Sequence, residues 1–190
     1  MDTGPARPET PHTRRPLLFL DVDGPLIPFG SPHGHPVYEA PRTAGGSGAA
    51  DTSGGHPLLS RVDPALGSRL VALPCELVWA TTWGEDANLC LGPRLGLPGL
   101  PVVEWPEDFD GKPDVDACGR GGTHWKTAGL VARAAGQAFV WVDDEIGGAD
   151  RRWVAVHHPG PALLHRVDPR IGLRSPDFAV LEAWLRAHGG

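Results

Sequence analysis

The segment Leu17-Leu18-Phe19-Leu20-Asp21-Val22-Asp23-Gly24 decides the fold of this chain. Four consecutive apolar residues followed by a turn signal are typical of a strand that is buried on both faces, as strands in parallel sheets are. A strand is predicted over residues 16–21, so two acids lie at its carboxyl edge. If the extended geometry continues, Asp21 and Asp23 project to the same side. Ligands of open α/β sheets bind at that edge.

Two carboxylates so close together repel each other unless a cation or a shared proton relieves the repulsion. A hard divalent cation with oxygen ligands, most simply Mg²⁺, fits this requirement. The alternative interpretation is an Asp pair that only caps a turn.

Two further apolar segments end in reactive polar groups. Residues 76–80 run into Thr81 and Thr82, and residues 138–142 run into Asp143 and Asp144. Further strands are predicted at 101–105 and 162–167, and helices at 63–73, 84–91, 124–135, 150–156 and from Ser175 onwards. Alternating strands and helices indicate one α/β domain over residues 16–188, with a mainly parallel sheet and helices on both faces.

The polar groups that follow these strands are expected to meet, because the carboxyl ends of parallel strands share one edge of the sheet. Lys126 is predicted at the start of the helix that leads into the Asp143 strand, which places it at the same edge. The chain's other lysine, Lys112, lies in a Gly/Pro-rich stretch farther from Asp143. Carboxylates with Mg²⁺, a lysine and a hydroxyl are suited to bind phosphoryl oxygens.

Composition narrows the classes of partner. The chain has 190 residues and a formal charge of -6, which argues against general binding of duplex nucleic acid, although a local basic groove stays open. Three cysteines without a CxxC pair indicate neither a disulfide framework nor a thiolate zinc site. No signal-peptide core and no apolar run of membrane-spanning length is present, so we expect a cytoplasmic protein that does not contact membranes.

Two segments are too polar to build a core. Residues 1–15 are rich in Pro, Thr and Arg and are predicted to be a disordered tail. Residues 28–57 are dominated by Gly, Pro, Ser, Thr and His, and are predicted to form a flexible flap or insert beside the Asp pair.

The four motifs, in this order, resemble those of the haloacid dehalogenase-like (HAD) hydrolase superfamily: Asp21-x-Asp23, Thr81, Lys126 and Asp143-Asp144. More narrowly, the segments 20–26, 79–83, 101–106, 124–127 and 141–145 resemble the HAD domain of "Swiss Army knife" RNA repair proteins. The resemblance implies a Rossmann-like three-layer sandwich with a small flap and no large cap domain. Members in RNA repair are usually fused to other repair domains, whereas this domain is expected to stand alone.

The resemblance also implies residue roles. Asp21 is expected to be the nucleophile and Asp23 the general acid and base. Mg²⁺ is expected on the Asp21 carboxylate, the Asp23 backbone carbonyl and Asp144, with Asp143 bound through water or acting as an orienter. The substrate phosphate is expected on the residues Thr81, Thr82, Lys126 and Gly24.

The predicted activity is that of a Mg²⁺-dependent phosphatase that hydrolyses a phosphomonoester through an aspartyl-phosphate. The expected partner is a phosphorylated small molecule, a nucleotide or a nucleic-acid end, the last two by resemblance to the RNA repair group. The alternatives are a phosphotransferase and a HAD-derived interaction module without turnover.

Several residues keep a structural interpretation beside a functional one. Thr82 is read as a strand-end hydroxyl, and Glu145 and Asp150 as helix-cap or solvent-exposed acids rather than outer metal ligands. Solvated surface positions are predicted for the histidines His33, His35, His56, His157 and His158. Trp79 and Trp141 are predicted to be core residues, while Trp83 and Trp125 stay open candidates for stacking on bases.

Overall fold

The computed structural model describes residues 14–39, 57–105 and 122–189. Within these ranges one four-stranded sheet forms, and all of its strands are parallel. The strands are β1 (Leu17–Leu20), β2 (Glu76–Trp79), β3 (Phe139–Asp143) and β4 (Ala162–Arg166), in the spatial order β2-β1-β3-β4.

The described helices alternate with these strands along most of the chain. They are α1 (Ala65–Val71), α2 (Gly92–Leu95), α3 (Lys126–Ala134), α4 (Gly148–His157) and α5 (Ser175–His188). A 3₁₀ turn at Pro57–Arg61 precedes α1, and a π-helical turn at Ala87–Leu91 leads into α2. The predicted α/β class and parallel sheet are confirmed.

Alternate side chains of β1 pack into two different hydrophobic clusters. Leu18 and Leu20 belong to the cluster that contains side chains of α1, α2 and α5. Leu17 and Phe19 belong to the cluster that contains side chains of α3 and α4. The sheet is therefore the middle of three layers, which is why β1 is an uninterrupted apolar run.

The strand order places β1 between β2 and β3. Leu20 lies opposite Trp79 of β2 and Val142 of β3. The chain passes from β1 to β2 on one side and then returns to β3 on the other, so a topological switch point lies at the carboxyl end of β1. Asp21 follows directly at this point, and its amide donates to the Val142 carbonyl at 3.0 Å.

Two element predictions are wrong. The strand predicted at 101–105 is only an isolated bridge between Val102 and Trp79, and Pro101, which has no N–H to donate, contributes its carbonyl to the Trp79 amide. The helix predicted at 84–91 begins at Ala87 as a π-helical turn and continues into α2, because Pro93 fits the first turn of a helix.

The predicted surface position of His158 is also wrong, whereas His157 is exposed as expected. The His158 ring is buried and lies edge-on against Phe139, with 4.7 Å between ring centroids. The Phe139 amide donates to the Pro161 carbonyl at 3.1 Å, which holds the segment after α4 beside the start of β3. Burial lowers the pKa of the His158 ring, which favours its neutral form.

The predicted tail and insert are only partly described. Residues 14–15 and 28–39 have no regular secondary structure, and Pro57 begins the 3₁₀ turn. Residues 1–13 and 40–56 lie outside the described residues. Among the residues that the structure describes, no helix is long and apolar enough to cross a membrane.

The contact between α1 and α2 depends on a glycine. A Cβ atom built on Gly67 would overlap the backbone carbonyl of Leu95, so the two helices approach each other more closely than any side chain permits. Backbone atoms cannot move aside as a flexible side chain can. Gly67 is therefore required by the space around it.

We expect Gly67→Ala to lower the free energy of unfolding by about 2 kcal/mol, because overpacking outweighs the better helix propensity of alanine. Gly99→Ala is the matched control, since a Cβ atom there meets nothing within 4 Å. Urea denaturation of both variants measures the difference. Equal stability of the two variants would contradict the close approach.

Candidate active site

Lys126 lies between two carboxylates at the carboxyl edge of the sheet. Its Nζ is 2.9 Å from Asp21 Oδ2 and 2.8 Å from Asp143 Oδ2. All three residues are buried. Lys126 is the first residue of α3, so the helix start carries the ammonium group to the ends of β1 and β3. Removing a single partner from such a buried arrangement leaves an uncompensated charge, which is strongly destabilising.

Burial dominates the electrostatics of Asp21. It raises the pKa of this carboxyl to about 7, against the opposing effect of Lys126 and with a further contribution from Asp143. Burial also disfavours the charged form of Lys126, but the two carboxylates outweigh it and raise the pKa of the ammonium group. Lys126 therefore stays protonated. An additional positive charge near Asp21 would stabilise the ionised form of its carboxyl group.

Asp144 is the second acid of the site whose pKa is raised. Burial, followed by the charge of Asp143, raises the pKa of Asp144 to about 6. Gly24 passes directly beside it, since a Cβ atom on Gly24 would lie 2.5 Å from Asp144 Oδ1. The φ angle of Gly24 is 82°, a conformation that residues with a Cβ atom rarely adopt. Only glycine lets the turn after Asp23 approach this carboxylate.

Asp143 differs from the other two acids because the protein satisfies both of its oxygens. Oδ1 accepts the Glu145 amide at 2.9 Å. Oδ2 accepts Lys126 Nζ and, at 3.2 Å, the indole N–H of Trp141. Asp143 is therefore fixed in place and fixes Lys126 in turn.

The three acids could hold a cation. Oxygen atoms of Asp21, Asp143 and Asp144 lie within 4.8 Å of one another. Hard oxygen donors of this kind suit Mg²⁺ or Ca²⁺. A second group comprises Asp143, His124 and Glu145, but His124 Nε2 and Glu145 Oε2 already bond each other at 2.9 Å. The residues present therefore fit a divalent cation best at the first group.

Trp83 connects Asp23 to Thr81. Its indole N–H donates to Asp23 Oδ2 at 3.0 Å, and its backbone N–H donates to Thr81 Oγ1 at 3.3 Å. Trp105 donates to the Thr81 carbonyl at 3.1 Å. Since Thr81 is fully buried and follows the strand next to β1, these bonds fix the end of β2 beside the Asp pair.

Two of the residues predicted to bind phosphate, Thr82 and Gly24, have environments in the structure that do not by themselves indicate phosphate binding. The Thr82 side chain is exposed. The Gly24 amide donates to the Ile27 carbonyl at 3.0 Å, and the contact of Gly24 with Asp144 is its better supported role. Binding of phosphate by either residue stays a prediction. Lys112 and His56 lie outside the described residues.

A cavity of about 430 Å³ adjoins the turn that follows Asp23. Pro25, His35, Tyr38, Arg61 and Arg174 are among the residues that line it. None of the predicted catalytic residues lines it. The acid cluster is therefore separate from this cavity.

Asp150 makes contacts that sequence reasoning missed. The prediction that Asp150 caps a helix is confirmed, because its Oδ2 accepts the Gly147 amide at 2.7 Å at the start of α4. In addition, Oδ1 accepts the His124 amide at 2.6 Å and the Thr127 hydroxyl at 2.7 Å. One buried carboxylate thus ties the helix that carries Lys126 to the loop that follows Asp144. No local pattern in the sequence indicates this long-range bond.

The buried positions predicted for Trp79 and Trp141 are confirmed, since both are fully buried. Trp141 also bonds Asp143, so its indole serves the site as well as the core.

Comparison of the chain with protein-family models, with curated proteins and with solved structures found no match. The chemistry of the site is therefore inferred from its own residues.

We expect Asp150→Asn to lower the free energy of unfolding by about 1–3 kcal/mol, because an amide group would face a donor that the carboxylate accepts. Asp177→Asn is the matched control, since Asp177 caps α5 by accepting the Arg174 amide at 2.7 Å. Amide hydrogen exchange should accelerate at His124 in the first variant alone. Unchanged exchange at His124 would refute the bracing role.

The charge of Asp21 should make the metal-free protein less stable as pH rises. Burial raises the pKa of Asp21 from its ordinary value of 3.8 to about 7. The folded state therefore binds more protons between these two pH values, and stability falls as pH rises across this window. One pKa unit corresponds to about 1.4 kcal/mol.

Asp21→Asn should therefore gain stability relative to wild type on going from pH 5 to pH 8, as measured by denaturation in EDTA. The comparison cancels the opposite contribution of His158, which both proteins share. A constant difference across this range would show that Asp21 is not destabilised by burial.

Proposed function

We propose that this protein is a Mg²⁺-dependent phosphatase of the HAD superfamily that hydrolyses a phosphomonoester through an aspartyl-phosphate on Asp21. The observation that carries the proposal is the buried Asp21–Lys126–Asp143 arrangement at the switch point of a parallel sheet. It combines a carboxylate nucleophile, an ammonium group and an acid cluster at the edge where such sheets bind ligands. The small flap and the lack of a large cap belong to the same proposal.

Mg²⁺ would be held by carboxylate oxygens of Asp21 and Asp144 and by the backbone carbonyl of Asp23. Asp143 would contribute indirectly, by holding Lys126 in place. When bound, Mg²⁺ supplies positive charge that offsets the acids and the substrate's phosphoryl oxygens. Lys126 would bind a phosphoryl oxygen with a third N–H, since an ammonium group has three donors and the two carboxylates take two. Thr81 Oγ1 accepts the Trp83 amide, and its hydroxyl would donate to a phosphoryl oxygen.

In the first step, an Asp21 oxygen attacks phosphorus and a P–O bond to Asp21 forms. The bond to the leaving oxygen breaks, and that oxygen keeps the electron pair and takes a proton from Asp23. In the second step, a water oxygen attacks phosphorus and gives a proton back to Asp23. The bond to Asp21 breaks, which restores the carboxylate and releases inorganic phosphate.

The proposed substrate is a phosphorylated small molecule or a nucleic-acid end. The acid residues do not line the 430 Å³ cavity, so the proposal does not place the substrate in that cavity. The resemblance to RNA repair domains favours a nucleotide or RNA end. A cytoplasmic location fits such a substrate.

Asp21→Asn should abolish turnover, because the attacking oxygen anion becomes a neutral amide. Asp23→Asn should reduce kcat/KM for an alkyl phosphate by about 100-fold or more and for an aryl phosphate much less, because an aryl oxide leaves without protonation. Asp86→Asn, at an exposed acid, is the control and should match wild type. The measurement is phosphate release with Mg²⁺ present.

Retained turnover in Asp21→Asn would exclude the covalent mechanism. Turnover that survives chelation of divalent cations would exclude the metal. Phosphoryl transfer to an added alcohol without phosphate release would favour a phosphotransferase. A wild-type protein that is inactive on nucleotides, phosphorylated oligonucleotide ends and sugar phosphates would instead favour an interaction module.

A further inference from the structure

Trp83 contacts the carboxylate of Asp23, the residue proposed above as the general acid. Its indole N–H reaches Asp23 Oδ2 at 3.0 Å. The ring is half-buried and packs against the larger hydrophobic cluster. Its backbone is held by Thr81 on one side and by the Asp86 amide, which donates to the Trp83 carbonyl at 3.1 Å, on the other. The indole is thus a rigid donor.

The Asp23 side of this contact is equally well defined. Asp23 pairs with Ile27 in an isolated bridge, and the amides of Leu26 and Ile27 both donate to the Val22 carbonyl at 3.0 Å. The backbone of the turn is therefore fixed. The Asp23 side chain itself is partly exposed, so the indole supplies an orientation that burial does not.

The chemistry of the donor suits a residue that must alternate between two protonation states. An indole N–H is a neutral donor with no acceptor capacity. It can therefore bond a carboxylate without adding a positive charge. A lysine or arginine in the same place would add one and would favour the ionised form of the acid. A carbonyl oxygen of a protonated acid also accepts an N–H, so the bond can persist throughout the reaction if the proton resides on the other oxygen.

We propose that Trp83 is a positioning residue for the general acid: its indole N–H holds Oδ2 of Asp23, so that Oδ1 carries the proton that the leaving oxygen takes. The proposal rests on the phosphatase function above and deepens it. In the first step, the Oδ1–H bond breaks as the new O–H bond of the leaving alcohol forms. In the second, Oδ1 receives the proton from water.

This role gives Trp83 a function that needs no nucleic acid, while stacking on bases stays a prediction. The indole edge faces Asp23 and the ring packs on the hydrophobic cluster. Both contacts explain the tryptophan without a nucleic acid.

The test is Trp83→Phe, which keeps an aromatic ring and removes the N–H. We expect kcat/KM for an alkyl phosphate to fall about tenfold, the effect of one hydrogen bond, and kcat/KM for an aryl phosphate to change little. In an Asp23→Asn background the same substitution should cause no further loss for the alkyl substrate, because the residue acts through Asp23. Trp105→Phe, which removes an indole bond to the Thr81 carbonyl, should change both substrates by the same factor.

A second measurement does not depend on turnover. In an NMR spectrum of the ¹⁵N-labelled protein, the indole N–H signal that disappears in Trp83→Phe should shift in Asp23→Asn more than the other indole signals do. The proposal is overturned if that signal stays in place, if both substrates slow equally in Trp83→Phe, or if the loss persists in the Asp23→Asn background. Lack of turnover by the wild type would overturn the phosphatase function and this role together, whereas an active wild type with an unchanged substrate ratio would overturn this role alone.

Discussion

The placement of one ammonium group between two buried carboxylates governs this structure. Asp21 and Asp143 end neighbouring strands of a parallel sheet, and their repulsion in a low-dielectric interior would be costly without Lys126. The start of α3 is therefore as much a part of the site as the strand ends. Helix, sheet and charge are fitted together at this point, and displacement of any one leaves a buried charge without a partner.

Two layers of hydrogen bonds hold this arrangement. Asp150 braces the α3 start from one side, and Trp141 and the Glu145 amide hold Asp143 from the other. Separately, Trp83 bonds Asp23 and Thr81. Each of these contacts fixes the position of a residue that the proposed mechanism uses, and positioning of this kind contributes to catalysis in general.

The sequence predicts the sheet and its acid edge because both follow from local patterns: apolar runs, their polar ends and the spacing of helices. Asp21, Lys126 and Asp143 come together as the topology requires, and Thr81 follows the neighbouring strand β2. The braces could not be predicted in this way. Asp150 bonds residues far from it in sequence, and the Trp83 bond depends on how the 81–87 turn folds. His158 is buried against Phe139, which lies far from it in sequence. The strand expected at 101–105 reduced to a bridge since propensity does not determine pairing.

The strand order has a consequence for how the domain folds while it is being synthesised. Among the strands that the structure describes, β1 is the earliest in the chain and is central, while its partner β3 and the counter-charge on α3 are made much later. A nascent chain that ends before α3 carries the Asp21 side chain without the ammonium group that makes its burial tolerable. The N-terminal half can pair β1 with β2 but cannot complete the core around them. Folding of this domain is thus governed by contacts distant in sequence, which form slowly and leave apolar strands exposed in the meantime.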